Sequence, residues 1–200
     1  MSRERSAAGH RERLLAAALV CLREKGYAGT TARDLVAVSG TNLASIGYHF
    51  GGKEALLHEA LAGCFREWTA RVERAVFGTE ASSPRELLHR ALGALIDVFD
   101  EMRPMIVSCV EAYAPAIRSP ALRARLAEAY AESRRAGADM IRRGCAAMDL
   151  PEPADPQAVA SLLIAISDGL MLQWLADPQS IPDARGVLDA LAGLSHLAAP

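Results

Sequence analysis

The stretch TTARDLVAVSGTNLASIGYHFGGKEALL, residues 30–57, decides how the rest of the chain is read. Thr31 precedes an apolar-periodic run and has Asp34 three positions on. A threonine hydroxyl there accepts from the free N–H of residue 34 while the carboxylate reaches back, a capping box with Asp in place of the usual Glu. A short helix over 32–38 is therefore predicted. Ser39-Gly40-Thr41 makes a tight turn, and Asn42 caps a second short helix running to about His49. Ile46 and Phe50 are four residues apart, on one helix face, and are expected to pack inward with Leu35, Val38 and the preceding helix. After Gly51-Gly52 a long helix over 53–76 carries Leu57, Leu61, Cys64, Phe65, Trp68 and Val72 along one stripe. At that length it spans about 36 Å, enough to join two domains.

Upstream, residues 11–25 form a helix with Leu15, Leu19 and Leu22 on one face, ended by Gly26. Two short helices joined by a glycine turn behind a longer supporting helix are a helix-turn-helix layout, whose second helix enters the DNA major groove. With Ile46 and Phe50 inward, Leu43, Ser45, Tyr48 and His49 are expected to point largely away from the core. A hydroxyl, a phenol and an imidazole donate to phosphate oxygens or base edges, and a leucine touches a thymine methyl. Lys53 stands at a helix start, where free N–H groups and the positive dipole end already favour an anion, so it is a candidate phosphate ligand. Arg33, near the start of the first short helix, is similarly placed. Gly47 is costly inside so short a helix, by about 1 kcal/mol against alanine. Either it lets the helix approach the groove wall, or it avoids a clash with the helix beginning at Lys53.

Composition agrees with a helical reading. The 200 residues are 51% apolar, 5% aromatic and 23% charged, with alanine and leucine dominating, so an all-α fold is expected and a sheet-built one is not. The net charge of −2 hides an asymmetry: residues 1–60 hold eight Lys and Arg against six acids, the remainder fourteen against eighteen. Only the first part suits a polyanion. Cys21, Cys64, Cys109 and Cys145 lie far apart in apolar stretches and read as small core residues, not bridges or ligands. The charged start, Met-Ser-Arg-Glu-Arg-Ser, lacks the apolar run of a secretion signal, and a cytoplasmic location is expected. Residues 158–176 are apolar enough to suggest a membrane span, but Asp168 and Gln173 sit within them, so a buried helix and no membrane partner are expected.

Beyond the long helix, Ser83-Pro84, Ser119-Pro120 and Asp155-Pro156 each put a capping side chain before a proline at the first helical position. Ser83 has Glu86 three residues on, a second capping box. Arg103-Pro104 is expected to break the Pro84 helix near Met102 and to start a short helix ending around 113–115. A loop at Leu150-Pro151-Glu152-Pro153 and a last helix over 183–197 bring the total to about nine. The helix over 158–176 is apolar on two faces, Leu162, Ile166 and Leu170 on one and Leu163, Met171 and Trp174 on another, and a single monomer core would leave one exposed. With Val187, Leu191, Leu194 and Ala198 of the last helix, this predicts an isologous homodimer through a four-helix bundle. Its expected interface is Leu163, Met171, Trp174, Val187, Leu191 and Leu194.

Taken together, Thr31-x-Arg33, the glycine turn, Tyr48-His49-Phe50 and Lys53-Glu54-Ala55-Leu56 resemble the N-terminal domain of the tetracycline-repressor (TetR) family of bacterial transcriptional regulators, over about 11–57. The resemblance implies a helix-turn-helix DNA-binding domain at 1–57 and a helical effector-binding and dimerisation domain at 58–200, joined by the long helix. It also implies that Thr31 and Arg33 face the DNA backbone or groove edge, that Asn42 caps the recognition helix, that Leu43, Ser45, Tyr48 and His49 face DNA, and that Lys53 binds phosphate. Gly47 stands where many members have a DNA-contacting tyrosine, and Gly52 replaces a common serine. Partners implied are double-stranded operator DNA, a second copy of the chain and a small-molecule effector of unknown identity. Its pocket is expected among the helices starting at Pro84, Pro104 and Pro120, with Phe65, Trp68, Phe99, Met102, Met105, Cys109, Tyr113 and Tyr130 as walls. No nucleophile-base pair, metal cluster or phosphate-cradling glycine loop stands out, so no enzyme, metal or cofactor is expected. The expected function is a ligand-released repressor, the alternative being a helical small-molecule-binding protein or enzyme with a vestigial DNA-binding domain.

Overall fold

In the computed structural model the backbone is described for residues 2–197 and the side chains for 9–194. The described residues form nine helices and no strand: α1 (Ser2–Gly29), α2 (Ala32–Ser39), α3 (Leu43–Phe50), α4 (Lys53–Phe77), α5 (Pro84–Ile96), α6 (Phe99–Arg118), α7 (Pro120–Ala147), α8 (Pro156–Ala176) and α9 (Ala184–Leu197). Ala198 of the expected last stripe lies outside the described residues.

Local chemistry sets most of the boundaries. Thr31 and Asp34 close the predicted capping box, with the Asp34 N–H donating to Thr31 Oγ1 at 3.2 Å and the Thr31 N–H donating to Asp34 Oδ2 at 2.9 Å. Gly40 ends α2 in the left-handed region, at φ 63°. Asn42 caps α3 by accepting from the Ser45 N–H at 3.0 Å, and Asp155 caps α8 by accepting from the Ala158 N–H at 3.0 Å. At α5 the box is displaced: Ser83 caps Glu86 as expected, but the Glu86 carboxylate accepts from Ser82, at 2.7 Å from its N–H and 2.6 Å from its hydroxyl. Within α1 the helix breaks at Gly26, whose φ of 73° puts it in glycine territory. The expected break near Met102 is corrected: α5 stops at Ile96, and Pro104 lies inside α6. Ile96, Val98 and Phe99 are all buried, and a chain can bury this close-set run most readily by turning at Asp97. Pro104, in the second turn of α6 and exposed, forfeits one intrahelical hydrogen bond without ending the helix.

The chain divides into two compact units, each discontinuous: residues up to 65 with 102–130, and residues 66–101 with those from 131 onward. In the first, Leu14, Ala18, Cys21, Leu22, Leu35, Ile46, Phe50, Leu56, Leu57 and Leu61 form a core that Met105 and Ala112 of α6 complete. Val38, expected in that core, is half exposed, and Val36 packs there instead. In the second, Phe99 lies edge-on to Trp68 with ring centroids 6.0 Å apart and beside Trp174 at 5.5 Å, and α5 packs on α8 and α9. No disulfide joins the four cysteines. Among the described residues α8 alone is long and apolar enough to cross a membrane, and its Leu170, Met171 and Trp174 are buried within the protein.

Candidate functional site

The first unit presents α2 and α3 as a helix-turn-helix face. Its side chains differ sharply in how free they are. Tyr48 is 81% exposed and Leu43 55% exposed, more open than any packing role allows. His49 is half-buried, held edge-on to Tyr48 at 4.8 Å and to Phe50 at 6.3 Å. Thr31, Arg33 and Asn42 are exposed. Ser45, expected to face outward, is buried; its hydroxyl donates to Asn42 Oδ1 at 3.1 Å, so it doubles the cap and does not face solvent. A residue three positions after the cap is held against the capping side chain, and a count of apolar spacing does not register that tie.

Charges around this face fall into three kinds. Lys25 is paired with Asp34, and this pairing, together with hydrogen bonds from Thr31, holds the Asp34 carboxyl far below its usual range. Lys53 is partly committed: its ammonium donates to the Thr30 carbonyl at 2.9 Å and lies 3.7 Å from Glu54. It therefore braces the junction of α1 and α2 from the start of α4, with donors to spare. Arg33 has neither an ion pair nor a hydrogen bond among the described residues. At Gly47 an added Cβ would meet nothing within 4 Å, which removes the clash with α4 as its reason and leaves an open backbone facing outward.

The walls expected for an effector pocket fall into three sets. Trp68 and Phe99 belong to the aromatic core of the second unit, Phe99 being only 2% exposed. Met102 and Met105 pack into the first unit's core. Phe65, Cys109 and Tyr113 line a cavity of about 20 Å³ among α4, α6 and α7, entirely within the first unit, and Tyr130 packs against Phe65 and Tyr113. The helix from Pro84 takes no part in it. Its remaining lining includes two residues the sequence reading missed, His58 and Arg125. His58 is 7% exposed, and its Nε2 is buried without a hydrogen-bond partner. Burial first, and then the Arg125 charge, push its pKa down against a weaker opposing pull from Glu54. A buried polar atom without a partner costs about 1–3 kcal/mol, and the His58 ring lies edge-on, at 5.5 Å, to that of Tyr27, whose hydroxyl is likewise buried without a partner. No periodicity marks such an atom, because it depends on what α6 and α7 bring to His58.

α6 also ties this cavity to α1. The Ser108 hydroxyl, fully buried, donates to the Leu22 carbonyl at 2.8 Å, and the Glu111 carboxylate accepts from the Ala28 N–H at 3.1 Å. A Cβ at Gly26 would come within 2.9 Å of that carboxylate, so the bare backbone there permits the contact.

On α8 and α9 the expected interface is partly corrected. Met171, Trp174 and Val187 are buried within their own chain, at 9%, 3% and 5% exposure, and are not free to meet another. Leu163 and Leu191 are half-buried, and Leu194 is exposed. The outward stripe of α8 is instead Leu162, Ala165, Gly169, Leu172 and Ala176, with Leu162 at 59% and Leu172 at 52% exposure.

A capped, left-hand-terminated pair of short helices presenting open polar and apolar side chains defines a helix-turn-helix DNA-binding protein. Comparison with known proteins narrows this. Residues 14–60 match the N-terminal domain described as bacterial regulatory proteins, tetR family, and residues 84–199 match the C-terminal domain described as BetI-type transcriptional repressor. The chain belongs to the TetR family and is a DNA-binding transcriptional regulator. It is 28% identical over 166 residues to the HTH-type transcriptional regulator BetI of Paraburkholderia phymatum, covering 82% of this chain and 80% of that one. Among solved structures it is similar to a putative TetR-family regulator from Rhodococcus sp., with a TM-score of 0.70, 27% identity and coverage of 94% and 98% of the two chains. The regulator FadR from Bacillus subtilis, solved in complex with stearoyl-CoA, shares the fold at 15% identity, a TM-score of 0.65 and coverage of 92% and 96%.

Proposed function

We propose that the chain is a cytoplasmic repressor that acts as a homodimer and releases its operator when a small molecule enters the cavity among α4, α6 and α7. The observation that carries this reading is α6 itself. Within six residues it holds Ser108 and Glu111, bonded to α1, and Cys109 and Tyr113 on the cavity wall. A cavity of about 20 Å³ has room for about one water molecule, whereas drug-sized ligands occupy about 300–1,000 Å³. A larger molecule must part α6 from its neighbours, and the two ties pass that displacement to the helices that carry Arg33 and Tyr48. Such a ligand shifts the equilibrium only by as much as it prefers the parted arrangement.

In this reading Arg33, Lys53 and Thr31 hold phosphate, Leu43, Tyr48 and His49 reach the groove, and Asn42 with Ser45 secures the start of α3. DNA binding belongs to residues 1–57 and effector response to 58–200. The outward stripe of α8, together with Leu194 of α9, supports a two-fold four-helix interface, its Gly169 and alanines allowing close helix approach. Two copies give two recognition helices for two half-sites. The test is selection of genomic fragments by the purified protein. Recovery of a roughly palindromic sequence whose binding falls steeply with salt supports the reading. Recovery of no preferred sequence overturns it in favour of a helical binding protein or enzyme whose first domain is vestigial.

A further inference from the structure

We propose that the molecule taken by the α4–α6–α7 cavity is a small organic monoanion, a carboxylate with an apolar body, held by Arg125 at the rim and His58 within. This rests on the reading of that cavity as the effector site, and it adds the chemical class. Three observations point the same way. First, Arg125 is exposed on α7, lines the cavity, and has no carboxylate partner among the described residues. A guanidinium without an anion at a concave site is a ready fork for a carboxylate. Second, His58 is nine-tenths buried, lines the same cavity, and leaves Nε2 unpartnered. A ligand oxygen within reach satisfies both groups at once.

Third, the rest of the wall is neutral or apolar: Leu61, Ala62, Phe65, Cys109, Leu126 and Ala129, with the Tyr113 hydroxyl already engaged with that of Tyr130. No Asp or Glu lines the cavity, and the pull of Glu54 on His58 is weaker than the push of Arg125. A cationic ligand would meet an unneutralised arginine and no counter-ion. A neutral one would gain nothing from the guanidinium charge. The apolar body lies against Phe65, Leu61 and Leu126, and making room for it separates α6 from α7.

The experiment measures binding of butyrate, benzoate and octanoate to the full chain by calorimetry, beside their primary amides and octyltrimethylammonium. It is repeated on Arg125→Gln, an exposed position whose change leaves the core untouched. At least one carboxylate is expected to bind tenfold or more tightly than its amide and than the ammonium. That preference is expected to disappear in Arg125→Gln, and the His58 ring resonances of the wild type to shift on carboxylate addition. Failure of all three carboxylates to bind, equal affinity for carboxylate and amide, an unchanged preference in Arg125→Gln, or tighter binding of the ammonium overturns the assignment. The carboxylate that binds is then added to the protein on its selected DNA fragment. Cavity binding without DNA release contradicts the repressor reading while the ligand class stands; release by the ammonium or an amide contradicts the ligand class while the repressor reading stands.

Discussion

At the residue scale the DNA-facing side of the protein is built from what is left free. Gly47 is the clearest case. Open space surrounds it, so Gly47→Ala is expected to stabilise α3 by about 1 kcal/mol, seen as a raised denaturation midpoint, while weakening operator binding by crowding the groove wall. Unchanged operator affinity would leave this glycine without a role in DNA binding. Asp168 makes a second prediction. Burial raises its pKa to about 6, above the range of an unfolded carboxylate, so the folded chain holds this proton to higher pH. The stability this contributes is full below about pH 4 and is lost as pH rises through about 6. Asp168→Asn is expected to raise the melting temperature at pH 7.5 and to lose that advantage by pH 4, and equal melting temperatures at both would contradict it. Caps and turn residues were readable in the sequence because their partners lie three residues away. Ser45 and His58 were not, since burial of the one depends on Asn42 turning onto it and isolation of the other on what two distant helices fail to offer.

At the scale of elements, α6 carries both the hydrogen bonds to α1 and one wall of the cavity. Ser108→Ala is expected to cost about 1 kcal/mol of stability, the usual worth of one buried hydrogen bond, by denaturant unfolding with an unchanged slope. Glu111→Ala, on an exposed side chain, is expected to leave global stability nearly unchanged yet speed hydrogen exchange at the Ala28 amide. Slow exchange there in the variant would mean that the tie does not hold α1. The sequence placed α2, α3 and α4 within a residue or so, where capping and periodicity agree. It misplaced the start of α6 because a proline inside a helix reads as a stop, whereas here the burial of Ile96, Val98 and Phe99 decided where the chain turns.

At the scale of the whole molecule, the C-terminal helices were harder to read than the N-terminal ones. α8 is apolar on more than one face, so periodicity alone gave no reason to prefer one of them for its own core; packing against α5 and against Phe99 goes with Met171 and Trp174 inside and Leu162 and Leu172 out. Analytical sedimentation is therefore expected to show a dimer for the wild type and a folded monomer for Leu162→Glu with Leu172→Glu. A double variant that remains dimeric would move the interface elsewhere. Titration of the selected fragment across a range of salt, for the wild type, Arg33→Ala and Tyr48→Ala, reads whether the face bearing Arg33 and Tyr48 grips DNA. Arg33→Ala is expected to weaken binding to all sequences alike and to flatten the logarithmic salt slope by about 1, and Tyr48→Ala to weaken binding to the selected fragment more than to random DNA, with stability unchanged. Wild-type affinity and slope in both variants would mean that this face does not grip DNA.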